Sequence, residues 1–142
     1  MERSFLLEVI TPERTFFSGD VTSIILPALD GSCGIMAGHA PMVTAVENGV
    51  MEYRTSDGRW HFAAVGRGFA EVMPASTIVL VTTAERPSEI DPQRAERAMA
   101  RAQKRLKTLP TSQKEYFFSQ GALARAKARL EAKAKAKKNK KS

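Results

Sequence analysis

The sequence predicts an all-β N-terminal sandwich of about ten strands followed by an α-helical hairpin, and three observations carry that prediction. Short runs rich in Val, Ile, Thr and aromatic residues fill residues 1–86, separated by glycine-bearing turns. Beyond residue 86 the apolar residues recur instead at spacings of three and four. The charge changes at the same place. Residues 1–86 hold six arginines, no lysine and ten carboxylates, a formal −4, whereas residues 87–142 hold sixteen basic and five acidic side chains, a formal +11.

In the first part the strand-like runs are SFLLEVITP, VTSIILP, VMEYRT, RWHFAAV, FAEVM and TIVLVTT. Interruptions are expected at Gly19-Asp20, Asp30-Gly31, Asn48-Gly49, Asp57-Gly58, Gly66, Gly68 and Pro74. Asp57-Gly58, set between two runs, predicts a tight hairpin, because glycine accepts the positive φ that such turns need. In the second part Ala95, Ala98, Met99, Ala102 and Leu106 form one helical stripe, with Asp91 as its N-cap and Pro92 at the first helical position. Pro110 should end that helix; Leu123, Ala126 and Leu130 resume the pattern, and the chain finishes in the lysine-rich run AKAKAKKNKKS. A contact face built on alanine lets helices approach closely but contributes only about 0.8 kcal/mol per methyl. The hairpin is therefore expected to be marginal on its own, able to lie against the sandwich or to extend.

Composition excludes several classes of function. An apolar fraction of 43% implies a real core. Cys33 is the only cysteine, so no internal disulfide forms, and the N-terminus has no export pattern. The expectation is a reducing, intracellular setting. No apolar run approaches the roughly 20 residues that span a bilayer. The only histidines are His39 and His61, and neither has the paired spacing of a zinc site. His61 alternates with Trp60 and Phe62, the pattern of a strand residue. GRGF at 66–69 has only two glycines of a dinucleotide fingerprint and opens no helix. No nucleophile elbow or phosphate-binding lysine loop occurs, and no catalytic or metal residue is assigned.

The basic end offers anion-binding candidates. Residues 125–142 contain nine basic residues and one acidic residue. Arg94, Arg97 and Arg101 align on the first helix and Arg125 and Arg129 on the second, so antiparallel packing would let the two stripes frame an anion. The plainer reading, a solvated face on each helix and a solubilising tail, stands beside it.

Taken together, PALDGSCGIMAGHAPMVTAVENGV (27–50), GRGFAEVMP (66–74) and LVTTAERPSEIDPQRAERAMARAQKRL (80–106) resemble, in order, the epsilon subunit of the bacterial F1Fo ATP synthase. The resemblance covers nearly the whole chain. It departs from the family pattern at Ala28, at Ser32 and at Met36-Ala37, where the family carries glycine, glutamate and leucine-proline. It implies a sandwich over 1–86 that binds the gamma subunit and the ring of c subunits, and a two-helix regulatory domain over 87–142 that meets alpha and beta and restrains ATP hydrolysis. It also implies a peripheral position on the cytoplasmic side of the bacterial cell membrane, reached through the Fo ring only. The family's bond chemistry lies elsewhere, so this chain carries no catalytic site.

The resemblance also assigns residues. Met36, His39, Val43, Phe69 and Glu71 are expected to face partners of the sandwich. His39 falls in a family turn between strands, where it can satisfy buried polar groups. Arg125, Lys127, Arg129 and Lys133 are expected on the surface that meets an acidic loop of beta. Ile90, Asp91, Arg94 and Ala95 match the family's Ile-Asp-x-x-Arg-Ala motif, and with Arg101, Arg125 and Arg129 they are candidates for a regulatory ATP, with or without magnesium. No other cofactor is required. Asp91 as a plain helix cap and the arginines as solvated side chains remain the alternative. Two rival classes are a nucleic-acid-binding β-barrel with a basic tail and a free-standing adaptor. The net acidic sandwich with scattered aromatics argues against nucleic acid.

Overall fold

The computed structural model describes residues 3–108 and 112–140; Pro110, the expected helix break, lies outside the described residues. Nine strands precede two helices among the described residues: β1 Phe5–Ile10, β2 Thr15–Ala28, β3 Gly31–Met36, β4 Met42–Val46, β5 Gly49–Thr55, β6 Trp60–Val65, β7 Gly68–Val72, β8 Ser76–Val81, β9 Ala84–Glu85, α1 Pro92–Lys107 and α2 Gln113–Lys140. A short 3-10 turn, Pro87–Glu89, links β9 to α1.

The pairing order is β4-β7-β8-β1-β2-β5-β6-β9, with β3 on the remaining side of β2. Only the β1–β8 pair is parallel among these pairs. β2 serves both layers: residues up to Val21 pair with β1, whereas Ser23 onward lies between β3 and β5. A register shift between Val21 and Ser23 marks the crossing, as a bulge bends a strand from one sheet to the other. Gly19-Asp20 therefore does not interrupt the chain as expected. Both residues sit inside β2, paired with Leu7 and Leu6.

Alternation explains the core. Leu7, Val9, Val21, Ile24, Leu26, Ile35, Val46, Met51, Val72 and Val79 are fully enclosed between the layers, each burial contributing roughly 1.5–3 kcal/mol. The Asp57-Gly58 turn closes the β5–β6 hairpin with Gly58 at φ 83°, as expected. In GRGF the glycines answer a packing need. A Cβ on Gly68 would fall 1.8 Å from the Leu80 carbonyl oxygen of the neighbouring strand.

The helices form an antiparallel pair, and α2 lies on the outer face of β5 and β6. A second, smaller apolar cluster joins them: Val50, Ala64 and Phe62 from the strands, Ile90 from the linker, and Ala128 and Ala132 from α2. Ala95 and Ala102 of α1 and Ala126 of α2 are also buried. Leu123 and Leu130, part of the expected stripe, are only half-buried. The hairpin thus docks through methyl groups, as its composition implied.

A cavity between the linker and the helical hairpin

Asp91 begins the site. Its carboxylate oxygen accepts from the backbone N–H groups of Gln93 (3.0 Å) and Arg94 (3.3 Å), so the carboxylate is an N-cap, and Pro92 occupies the first turn. That cap directs α1 along α2. Between them and the linker lies a cavity of about 400 Å³ lined by Glu85, Glu89, Ile90, Asp91, Arg94, Ala95, Ala98, Arg101 and Arg129. Its volume is in the range of small-molecule sites. Six of the seven residues expected to hold ATP are here; Arg125 is adjacent, in a shallow depression with Ala64, Thr83 and Arg129. Arg97 does not line the cavity.

The charges within it are unequally engaged. Glu85 Oε1 accepts from Arg129 Nε at 2.7 Å. Glu89 is held from outside: both its oxygens accept from Arg14 (2.9 and 3.0 Å), and Oε1 also accepts from the Arg86 N–H at 2.9 Å. These hydrogen bonds, Arg14 first, lower the Glu89 carboxyl to about 2. Asp91 is taken up by the helix N-terminus. Arg94 and Arg101 have no ion-pair partner among the described residues. With the three carboxylates each engaged, the two free guanidiniums leave the cavity receptive to a phosphate group, and the small side chains Ala95 and Ala98 leave space for it. The donor set therefore fits a phosphate-bearing ligand. No group of three His, Cys, Asp or Glu residues converges among the described residues to hold a metal ion.

The partner candidates separate into two surfaces. Val43, Phe69 and Glu71 share the outer face of the β4-β7-β8 layer, where Val43 pairs with Glu71 and Phe69 with Leu80. This face is bare and apolar: Val43 is 70% exposed, Phe69 62% and Leu80 52%. Met36 and His39 adjoin it at the β3–β4 turn, where Gly38 N–H bonds to the Pro74 carbonyl in the turn between β7 and β8. His39 does not serve buried polar groups as expected. It is half-exposed, and its Nδ1 lies 2.8 Å from the carbonyl oxygen of Ala40, its own neighbour.

Arg125, Lys127, Arg129 and Lys133 lie on α2, against the opposite layer. Arg129 is held by Glu85, and Lys133 Nζ donates to the Pro87 carbonyl at 2.7 Å. Arg125 and Lys127 make no ion pair among the described residues. Sequence reasoning missed Glu85 and Glu89 as cavity walls and Leu80 as part of the bare face. The alternation of Ile78 and Leu80 with buried Val79 and Val81 carried that second signal.

Comparison with known proteins agrees with the fold. The description "ATP synthase, Delta/Epsilon chain, beta-sandwich domain" matches residues 4–87, and "ATP synthase, Delta/Epsilon chain, long alpha-helix domain" matches residues 88–134. The chain is similar to the ATP synthase epsilon chain of Ruminiclostridium cellulolyticum, 47% identical over 91% of this chain and 95% of that one. It is 42% identical to the epsilon chain of Syntrophomonas wolfei, over 92% and 95%. Its fold resembles a chain of the Euglena gracilis mitochondrial ATP synthase OSCP/F1/c-ring structure, with a TM-score of 0.78 at 21% identity, covering 91% of this chain and 80% of that one.

Proposed function

The chain belongs to the ATP synthase delta/epsilon family, and from that premise we propose that it is the epsilon subunit of a bacterial F-type enzyme, a non-catalytic part of the central stalk. Residues 1–86 bind gamma and the c ring, so that ring rotation is passed to the catalytic subunits and drives ATP synthesis. Residues 87–142 are the regulatory domain. The bare Val43-Phe69-Leu80 face supports the first role, since a contiguous apolar patch on a small domain marks an interaction surface. No described helix is long and apolar enough to cross a membrane, and the proposed position is peripheral, on the cytoplasmic side, through the ring.

The docked hairpin supports restraint of hydrolysis. Its contact is methyl groups plus a few polar bonds, and two of the four basic residues proposed to meet the acidic loop of beta are already bound, Arg129 to β9 and Lys133 to the linker. Docking and inhibition then compete for Arg129 and Lys133, and a small free-energy difference sets the balance. Deleting residues 88–142 in the assembled enzyme should leave synthesis in place and raise ATP hydrolysis. Unchanged hydrolysis at matched subunit occupancy would refute the inhibitory role. Failure of gamma and c-ring subunits to co-purify with the full chain would refute the stalk assignment.

A regulatory ATP is the proposed ligand of the cavity, supported by the unpaired Arg94 and Arg101. Bound there, it would be a signal of energy state that stabilises the docked hairpin, because the cavity exists only while Arg129 of α2 walls it together with α1 and the linker. Arg94 and Arg101 would hold phosphate, and Ile90 and Ala95 give the wall its apolar portion.

A further inference from the structure

The segment Ala84–Ile90 has two working sides. Toward α2 it presents the Glu85 carboxylate to Arg129 (2.7 Å) and the Pro87 carbonyl to Lys133 (2.7 Å). Ile90 adds its side chain to the cluster with Ala128 and Ala132. On its other side it is fastened to the β1–β2 end of the sandwich. The Arg14 guanidinium bonds both oxygens of Glu89 and the Ala84 carbonyl (3.0 Å). Arg86 donates through Nη2 to the Phe16 carbonyl at 2.6 Å, and its backbone N–H is capped by Glu89. The Phe16 ring is approached by both guanidiniums, with Arg86 4.4 Å and Arg14 5.4 Å from its centroid. Neither Arg14 nor Glu89 makes a hydrogen bond or ion pair to α2 among the described residues.

We propose that Arg14 and Glu89 are positioning residues for hairpin docking: their clasp fixes the linker on the sandwich as a bracket that holds Glu85 and the Pro87 carbonyl where α2 needs them. The bracket stays on the sandwich when the helices leave. The pivot then falls at Ile90 and Asp91, the two extended residues (φ −96°, ψ 125° and φ −85°, ψ 111°) between the 3-10 turn and α1. A bracket that stays in place spares the returning helix the ordering of its own acceptors. Arg14, at the opposite end of the sequence from α2, thereby sets how much of the population is docked. Charge keeps the clasp closed across the physiological range, because Glu89 remains ionised beside Arg14.

This inference rests on the reading that the hairpin leaves the sandwich, and amide exchange on the full chain separates the two. Arg14→Gln and Glu89→Gln should each speed exchange in residues 125–135 by about three- to fivefold, the size of one exposed charge pair, without changing β1 or β8. The double variant should accelerate exchange by less than the product of the two single effects, since both remove the shared Arg14–Glu89 contact. Additive effects, no acceleration, or equal acceleration in β1 and β8 would overturn the proposal. Arg129→Ala, which removes a direct contact, is the reference. If it accelerates exchange while the clasp variants do not, the clasp fails and docking stands; if none of the three does, both readings fail.

Discussion

Arg129 of α2 donates Nε–H to Glu85 of β9 at 2.7 Å, joining the last strand of the sandwich to the middle of the last helix. Both side chains are about two-thirds covered, at 31% and 29% exposed. A pair of this exposure contributes about 1 kcal/mol. Arg129→Ala should therefore lower the docked-to-open ratio about fivefold. Exchange or fluorescence transfer between α2 and β6 measures that ratio, and an unchanged value would show that the pair does not hold the helix.

The alanine contact sets a second limit. Ala132 is fully buried against the strands, next to Val50, Ala64 and Phe62 in one cluster. Ala132→Leu adds three carbon atoms where there is no room, an overpacking that costs about 1–3 kcal/mol. The sandwich core is elsewhere, so its melting transition should move little while α2 detaches. A leucine variant whose α2 amides stay as protected as before would mean that the helix can shift without loss.

Much of this arrangement was legible in the chain. The Asp91-Pro92 start of α1, the Asp57-Gly58 hairpin and the division of period and charge near residue 86 are local features, decided by residues a few positions apart. Gly19-Asp20 misled because a Gly-Asp pair suits a turn, whereas here pairing with Leu7 and Leu6 of β1 carries β2 through it. The clasp could not be read at all, since Arg14 and Glu89 are 75 residues apart and neither belongs to a motif. The cavity was half legible. Helical spacing aligned Arg94 with Arg101, but only tertiary packing brings Glu85 and Arg129 to the same wall and leaves Arg97 outside.

Acid should test the clasp directly. The Glu89 carboxyl lies at about 2, below its ordinary 4.5, chiefly through the hydrogen bonds from Arg14 and then Arg86. A lowered carboxyl contributes stability above its unfolded value, and the contribution disappears as pH falls through the folded one. The clasp should be intact at pH 5 and should be lost only as pH falls from about 4 toward 2. The carboxyl carbon of Glu89, followed by NMR, should titrate near 2 in the native chain and move up toward the ordinary range in Arg14→Gln. A native midpoint near 4.5 would show that Arg14 and Glu89 are not engaged in solution.

The bare sheet face makes a prediction about assembly, distinct from folding. Val43, Phe69 and Leu80 point away from the core, so Phe69→Asp and Leu80→Asp remove no core contact and should leave the melting temperature within a few degrees. The same changes place a charge in the proposed interface with gamma. Co-purification of gamma with the tagged chain should fall by tenfold or more, because a charge buried at an interface without a partner is strongly unfavourable. Normal recovery of gamma with the folded variants would move the interface to another surface.

The cavity predicts which residues discriminate a ligand from a structural role. Asp91 is committed to the α1 cap, so Asp91→Ala should cost about 1 kcal/mol of helix stability whether or not nucleotide is present. Arg94 and Arg101 have no such duty, and Arg94→Gln or Arg101→Gln should leave the free chain as stable as before. If phosphate is bound by these side chains, each loss should weaken ATP by about tenfold, the worth of a charge-assisted hydrogen bond. Arg97→Gln, one turn away and outside the cavity, should have no effect. Titration of the full chain by calorimetry, with and without magnesium, measures all three variants. Equal affinities in Arg94→Gln, Arg101→Gln and Arg97→Gln would remove the nucleotide from this cavity and return both arginines to the role of solvated side chains on the helix surface.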